Sequence, residues 1–205
     1  MDDVAAAAVE DAMLNRWFVE PLAGLGYPRD DTGDVRWEGA EIHDGDLALI
    51  ATPIDTLGVN YYTRSHVAAG GVEVPSQGPV TAMGWEIYPQ GLGECIRRVH
   101  SLGSFSRYLI TENGAAMNDQ PDATGFVDDQ DRIAFIRDHL AEVHRLIESG
   151  IPIKGYFAWS LMDNFEWAWG YTQRFGLIRV DYDTLERIPK ASAAWYAGIT
   201  RTNSL

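Results

Sequence analysis

Two kinds of hydrophobic periodicity recur along the chain, one of period two in short runs and one near 3.6 in longer ones. Near the start, Asp2 or Asp3 can cap a helix running to about Trp17, with Val4, Ala8, Met13 and Leu14 at helical spacing and Pro21 and Gly24 to end it. A polar loop follows, and a short helix is expected from Asp44 to Ala51. From there strand, loop and helix recur three times. The run TLGVNYYT (56–63) precedes a Gly-rich loop and a helix that starts near Pro89 and passes Cys95 and Val99 to Leu102. The run RYLITENG (107–114) precedes an Asp-rich loop and a helix from about Asp128 to Ser149. That helix carries Ile133, Ile136, Leu140, Val143 and Ile147 on one face and has Gly150 as its stop. The run IKGYFAWS (153–160) leads through a long loop to the strand-like FGLIRVDY (175–182) and a last helix opened by Pro189. Such repetition implies parallel strands joined by crossover helices.

Within a strand, residues two apart share a face. That groups Asn60 with Tyr62, Tyr108 and Ile110 with Glu112, and Phe157 with Trp159. Each group ends on a polar or aromatic residue at the strand's carboxyl end, where (β/α)8 barrels build their sites. Three units fall short of eight, and a closed barrel typically takes ~250 residues. Left alone, a three-stranded sheet exposes unpaired edges and an apolar face. The expected fold class is therefore α/β, a partial (β/α)8 TIM barrel. Residues 1–205 are therefore expected to be a piece of one barrel domain.

Composition narrows the chemistry. Lys and Arg number 16 against 30 Asp and Glu, for a net charge of −14, which opposes nucleic acid and anionic membranes as partners. The single cysteine, Cys95, forms no internal disulfide and is expected as a small buried hydrophobe. No Cys/His spacing suggests a zinc site, so neither metal nor cofactor is expected. Acids in the opening residues MDDVAAAAVEDAM are unlike a signal peptide, so the expected location is the cytoplasm. Three of the seven Trp (Trp159, Trp167, Trp169) fall within eleven residues, more than core packing ordinarily needs. A carboxylate beside such aromatic platforms suits carbohydrate, whose C–H faces pack on indole while its hydroxyls seek charged and amide partners.

The segments LGVNYY, MGWEIYPQGL, YLITENGAA and GYFAWSLMDNFEWAWGYTQRFGLIRVDY resemble glycoside hydrolase family 1, the β-glucosidase family, in family order. The resemblance implies a retaining β-glycosidase barrel of which residues 1–205 are the C-terminal portion, holding roughly strands 6 to 8, with the N-terminal portion absent. It assigns the nucleophile to Glu112, a hydrogen bond on that nucleophile to Tyr62, and a place beside it to Asn60. It makes Glu166 and Trp167 ligands of sugar hydroxyls, Trp159 the platform under the ring, and Phe175 a wall of the pocket. On position alone, Glu112 is equally a strand-end acid before an Asn-Gly turn, and Asn60 with Tyr62 a packed part of a sheet. Trp159 and Phe175 would then be core, and Glu166 a solvated loop acid. Relatives acting on 6-phosphosugars replace the acid at Glu166, so its presence favours an unphosphorylated sugar. Trp85, Trp169 and Tyr171 fall where the leaving group is contacted, or are core and rim residues. His66, His100, His139 and His144 are expected at the surface or in structural roles. Asp128, Asp129 and Asp131 are expected at a helix start.

The family's acid/base carboxylate lies in a T-x-N-E-P motif, which does not occur in these residues. Retaining hydrolysis needs two carboxyl groups about 5 to 5.5 Å apart. The chain by itself is therefore expected to be inactive and to need an N-terminal barrel half as partner, with a β-glucoside or oligosaccharide as substrate. The alternatives are a non-catalytic carbohydrate-binding half-barrel and a truncated remnant without activity.

Overall fold

Asp2 opens the first helix, its Oδ1 accepting the Ala5 N–H at 2.9 Å. Helix α1 (Asp3–Asp11) continues through a π-helical stretch (Ala12–Arg16) into α2 (Trp17–Leu22). It thus passes Trp17 and Pro21 before Gly24, at φ +78, turns the chain. The expected apolar face is not the buried one. Val4 and Leu14 are 79% and 53% exposed, whereas Ala6 and Ala12 are buried. A π-helix bonds i to i+5, so a 3.6-residue spacing does not carry through Ala12–Arg16.

The computed structural model describes residues 2–30, 33–34, 39–103 and 105–205; part of the polar loop expected before Asp44 lies outside them. In chain order the remaining elements are β1 (Arg29–Asp30), β2 (Gly33–Asp34), α3 (Asp46–Ile50), β3 (Leu57–Asn60), β4 (His66–Ala68) and β5 (Val72–Val74). Then come α4 (Pro89–Ser101), β6 (Tyr108–Asn113), α5 (Gln130–Glu148), β7 (Ile153–Ala158), β8 (Ile178–Val180), β9 (Arg187–Pro189) and α6 (Ala191–Thr202). They form two compact units.

The first unit comprises residues 1–57, 65–77 and 95–107. The Gly-rich loop after β3 contributes an antiparallel hairpin here, β4 with β5. The Arg98 guanidinium donates to both oxygens of Asp11, at 2.6 and 2.5 Å. Cys95 is exposed, contrary to expectation. Leu92 and Ile96, one helical turn apart, hold the buried stripe of α4, and Cys95 falls beside it.

The second unit comprises residues 58–64, 78–94 and 108–205 and holds the sheet β3-β6-β7, apart from the first residue of β3. Strands β6 and β7 are parallel, with Ile110 opposite Tyr156. The Tyr61 N–H donates to the Glu112 carbonyl at 3.0 Å, as Leu57 does to Arg107, so β3 runs the same way. The sheet packs on α5 and α6 through Ala115, Phe135, Ile136 and Leu177, with Tyr156, Ala158, Trp195 and Tyr196 against them. Among the described residues these strands do not close into a barrel. The FGLIRVDY run supplies β8, which pairs with β9 in an antiparallel hairpin, and Pro189 ends β9 instead of opening the last helix. The buried face of α5 also differs from the apolar face read in sequence. Ile147 is 48% exposed, while Arg132, His139 and Glu142 join Phe135, Ile136, Val143 and Leu146 inside.

Charged pairing draws Arg132 in, and with it Lys190 at the start of α6. Arg132, 1% exposed, donates to Asp129 at 2.9 Å, to Asp119, and to the Ala115 and Arg174 carbonyls. Lys190, also 1% exposed, donates to Asp119 at 2.5 Å and to Asp163 at 3.4 Å. Burial holds the Lys190 ammonium below its ordinary pKa, with the Arg132 charge adding to the effect. Asp129 does stand at the α5 start, yet it serves Arg132 and the Ser192 hydroxyl instead of capping its own helix. The network ties the segments after β6 and β7 to α5 and α6.

Candidate active site

Glu112 sits near the carboxyl end of β6, beside the residues that continue β3. Its Oε2 accepts the Tyr62 hydroxyl at 2.7 Å. The expected alternation along β6 breaks there. Tyr108 and Ile110 are fully buried, and the next buried position is Asn113, not Glu112. Register shifts lie between Tyr108 and Leu109 and between Ile110 and Asn113, and an irregular step takes later side chains off the two-residue period. Glu112 itself is half-buried and reaches Tyr62. Asn60 does not bond Glu112; its Oδ1 accepts the hydroxyl of Thr111, the residue before it, at 2.6 Å.

Aromatic rings frame the phenol. Tyr62 meets Trp85 edge-on at 5.4 Å and Phe175 at 6.2 Å, the latter ring 1% exposed. Burial, followed by the hydrogen bond to Glu112, holds the Tyr62 phenol well above its ordinary pKa. It stays protonated and donates. Beside Trp85 in the chain is a clamp that sequence reading missed. Arg64 donates to both oxygens of Glu86, at 2.7 and 3.1 Å, and lies 3.6 Å over the Tyr88 ring. The Glu next to Trp85 in MGWEIYP was the available signal, but nothing local pairs it with Arg64.

The segment after β7 supplies the other candidates. Trp159 is half-buried; its N–H donates to the Asn113 carbonyl at 2.9 Å, and its peptide bond to Ser160 is cis. Gly114 follows from this approach, since a Cβ there would run into the Trp159 carbonyl. A 3-10 turn over Trp167–Trp169 carries Glu166 at its start, where the Glu166 N–H donates to the Gly170 carbonyl at 2.7 Å. Partial burial raises the Glu166 carboxyl pKa, and the negative charge of Glu112 raises it further. Trp167 is 83% exposed, Trp169 53% and Tyr171 54%. The structure thus brings Tyr62, Glu112, Trp85 and Phe175 together, couples Glu166 to Glu112 by charge, and leaves Trp167 open to solvent. A separate hollow of about 700 Å³, lined by Thr81, Asp119 and Asp128 among others, does not include Glu112.

Parallel strands packed on helices, with a carboxylate and a phenol meeting near their carboxyl ends, make this a partial α/β fold. Comparison with known proteins then makes the class specific: the family described as glycosyl hydrolase family 1 matches residues 1–205, and the chain belongs to that family. It is 34% identical to beta-glucosidase A of Acetivibrio thermocellus, with 98% of this chain and 48% of that protein covered. It is 41% identical to the bifunctional beta-D-glucosidase/beta-D-fucosidase of Bifidobacterium breve, with 95% and 48% covered. Among solved structures, the beta-glucosidase from Thermotoga maritima in complex with glucoimidazole is similar at a TM-score of 0.89 and 36% identity, over 100% of this chain and 48% of that one. The chain therefore spans about half the length of the relatives it matches.

Proposed function

We propose that this chain carries the nucleophile and part of the sugar-binding wall of a retaining β-glycosidase of the β-glucosidase type. Its reaction is hydrolysis of terminal non-reducing β-D-glucosyl residues through a covalent glycosyl-enzyme intermediate. The observation that carries this reading is the hydrogen bond from Tyr62 to Glu112 beside Phe175 and Trp85. The protonated phenol occupies Oε2 and leaves the other carboxylate oxygen for attack on the anomeric carbon. As the Glu112–carbon bond forms, the glycosidic C–O bond breaks. The departing oxygen takes a proton from a carboxyl group that a separate N-terminal barrel half supplies, and that group then activates the water that hydrolyses the intermediate. Trp159 serves as platform, Phe175 as wall, and Glu166 and Trp167 as partners of sugar hydroxyls, with Asn60 beside the catalytic centre. Glu166 also disfavours a substrate phosphate, by like-charge repulsion.

Co-production of the chain with the N-terminal half of a family 1 relative tests this. With a 2-deoxy-2-fluoro-β-glucoside, mass spectrometry is expected to find one sugar adduct, on the peptide containing Glu112, and Glu112→Gln is expected to abolish both adduct and turnover. Tyr62→Phe is expected to lower kcat by roughly a hundredfold to a thousandfold, as removal of one preorganised donor does. An adduct on another carboxylate, or full activity of Glu112→Gln, would sink the proposal.

A further inference from the structure

Asn113, the residue after Glu112, is 0% exposed, and its amide is engaged at both ends. Its Nδ2 donates to the Tyr61 carbonyl at 2.7 Å, and its Oδ1 accepts the Tyr156 hydroxyl at 2.6 Å. Tyr61 follows β3 and immediately precedes Tyr62, while Tyr156 belongs to β7, so one side chain spans from one neighbouring strand to the other. The main chain is tied at the same level. The Glu112 carbonyl accepts the Tyr61 N–H at 3.0 Å, and the Asn113 carbonyl accepts the Trp159 N–H at 2.9 Å.

The register shift between Ile110 and Asn113 gives these bonds their significance. Where a ladder is irregular, repeated main-chain pairing no longer sets the height of the next side chain, and side-chain bonds take over. The chemistry also restricts the residue type. A neutral amide donates at one end and accepts at the other. A carboxylate of the same shape would set an acceptor against the Tyr61 carbonyl, and an alkyl group would leave both buried partners unsatisfied.

We propose that Asn113 is a positioning residue for the Tyr62–Glu112 pair. By bridging the Tyr61 carbonyl and the Tyr156 hydroxyl, it sets the height at which the Glu112 carboxylate meets the Tyr62 hydroxyl. Tyr196 of α6 supplies an internal control, because its hydroxyl donates to the Tyr156 main-chain carbonyl at 3.1 Å and so supports the same residue without being an Asn113 partner. The catalytic meaning of the proposal rests on Glu112 as nucleophile; its geometry does not.

The test is NMR of the full chain labelled with [13Cζ]tyrosine, with the Tyr62 resonance assigned by Tyr62→Phe. Glu112→Gln marks where that resonance falls once the bond to a carboxylate is lost. Tyr156→Phe and Asn113→Ala are expected to move the signal toward that position, Asn113→Ala further, while Tyr196→Phe leaves it in place. Tyr156→Phe keeps the ring and its packing, so it carries the test should Asn113→Ala fail to fold. The proposal falls if the signal holds its wild-type position in Tyr156→Phe while Glu112→Gln shifts it. It also falls if Tyr196→Phe shifts the signal as much as Tyr156→Phe, which would mean general loosening, or if Glu112→Gln shifts nothing, which would mean there is no pair to position. The first two outcomes leave the Tyr62–Glu112 bond, and with it the nucleophile reading, untouched; the third removes the bond on which both stand, and the nucleophile reading has its own separate test in whether the covalent label falls on Glu112.

Discussion

Gly114 and His139 show how single positions are decided by what packs against them. In sequence, Asn113-Gly114 looks like a turn, because both residues are common there. In the structure Asn113 is the last residue of β6, and Gly114 is needed because the Trp159 carbonyl passes against it. Gly114→Ala is expected to lower the unfolding free energy by roughly 1–3 kcal/mol, the usual effect of forcing atoms into packed space. Urea denaturation checks it, and a variant as stable as the wild type would refute the close approach. His139 is fully buried, stacked on Phe135 at 4.1 Å, with Nδ1 2.8 Å from the Phe135 carbonyl. Burial holds its pKa at about 4 against an ordinary 6.5. A base depressed in this way is neutral in the fold, while the unfolded chain takes up the proton first. Its stability contribution is therefore complete above pH ~6.5 and falls as the pH drops toward ~4, by ~3 kcal/mol in all. His139→Gln is expected to flatten the stability–pH curve across that window, as read by urea midpoints at several pH values. An unchanged slope would count against the assignment.

At the scale of elements, the network of Asp119, Asp129, Asp163, Arg132, Arg174 and Lys190 binds the segments after β6 and β7 to α5 and α6. Asp163 is at its centre. It accepts Arg174 at 2.8 Å, the Gly176 N–H at 2.9 Å and Lys190 at 3.4 Å. These bonds hold the two ends of the segment that carries Glu166 and Trp167. Removing one partner of a buried ion pair strands the other, which costs roughly 3–5 kcal/mol. Asp163→Ala is thus expected to destabilise the chain by about that much, measured by chemical denaturation, whereas a loss below ~1 kcal/mol would reduce the network to a surface-type pairing. None of this was legible in the pattern of hydrophobic and polar positions. The six charges are scattered from position 119 to 190, and a periodicity argument places every Arg and Lys outside. The same bias explains why the buried face of α5 was drawn through Ile147 and not through Arg132 and His139.

For the whole molecule, the uncovered side of the sheet and the loops after β7 matter most. Phe157 and Phe165 are 55% and 58% exposed and Leu161 63%, large apolar side chains that a covering barrel half would bury. The chain by itself is expected to bind a hydrophobic dye such as ANS and to show no measurable hydrolysis of an aryl β-glucoside. Addition of an N-terminal barrel half is expected to displace the dye and produce turnover. Enzyme-typical turnover by the chain alone, or dye binding unaffected by the added half, would overturn this. The sequence by itself determined the three strand–helix units, their parallel order and the strand-end candidates Tyr62 and Glu112, because period-two and period-3.6 patterns and short motifs are local. Only the tertiary structure decided that the buried positions of β6 continue at Asn113 and not at Glu112, that Gly114 is set by the Trp159 carbonyl, and that Asp119, Asp129, Asp163, Arg132 and Lys190 are buried with Arg174 half-buried beside them. The physical reason is that register shifts and buried hydrogen bonds depend on residues far apart in the chain, which no local pattern relates.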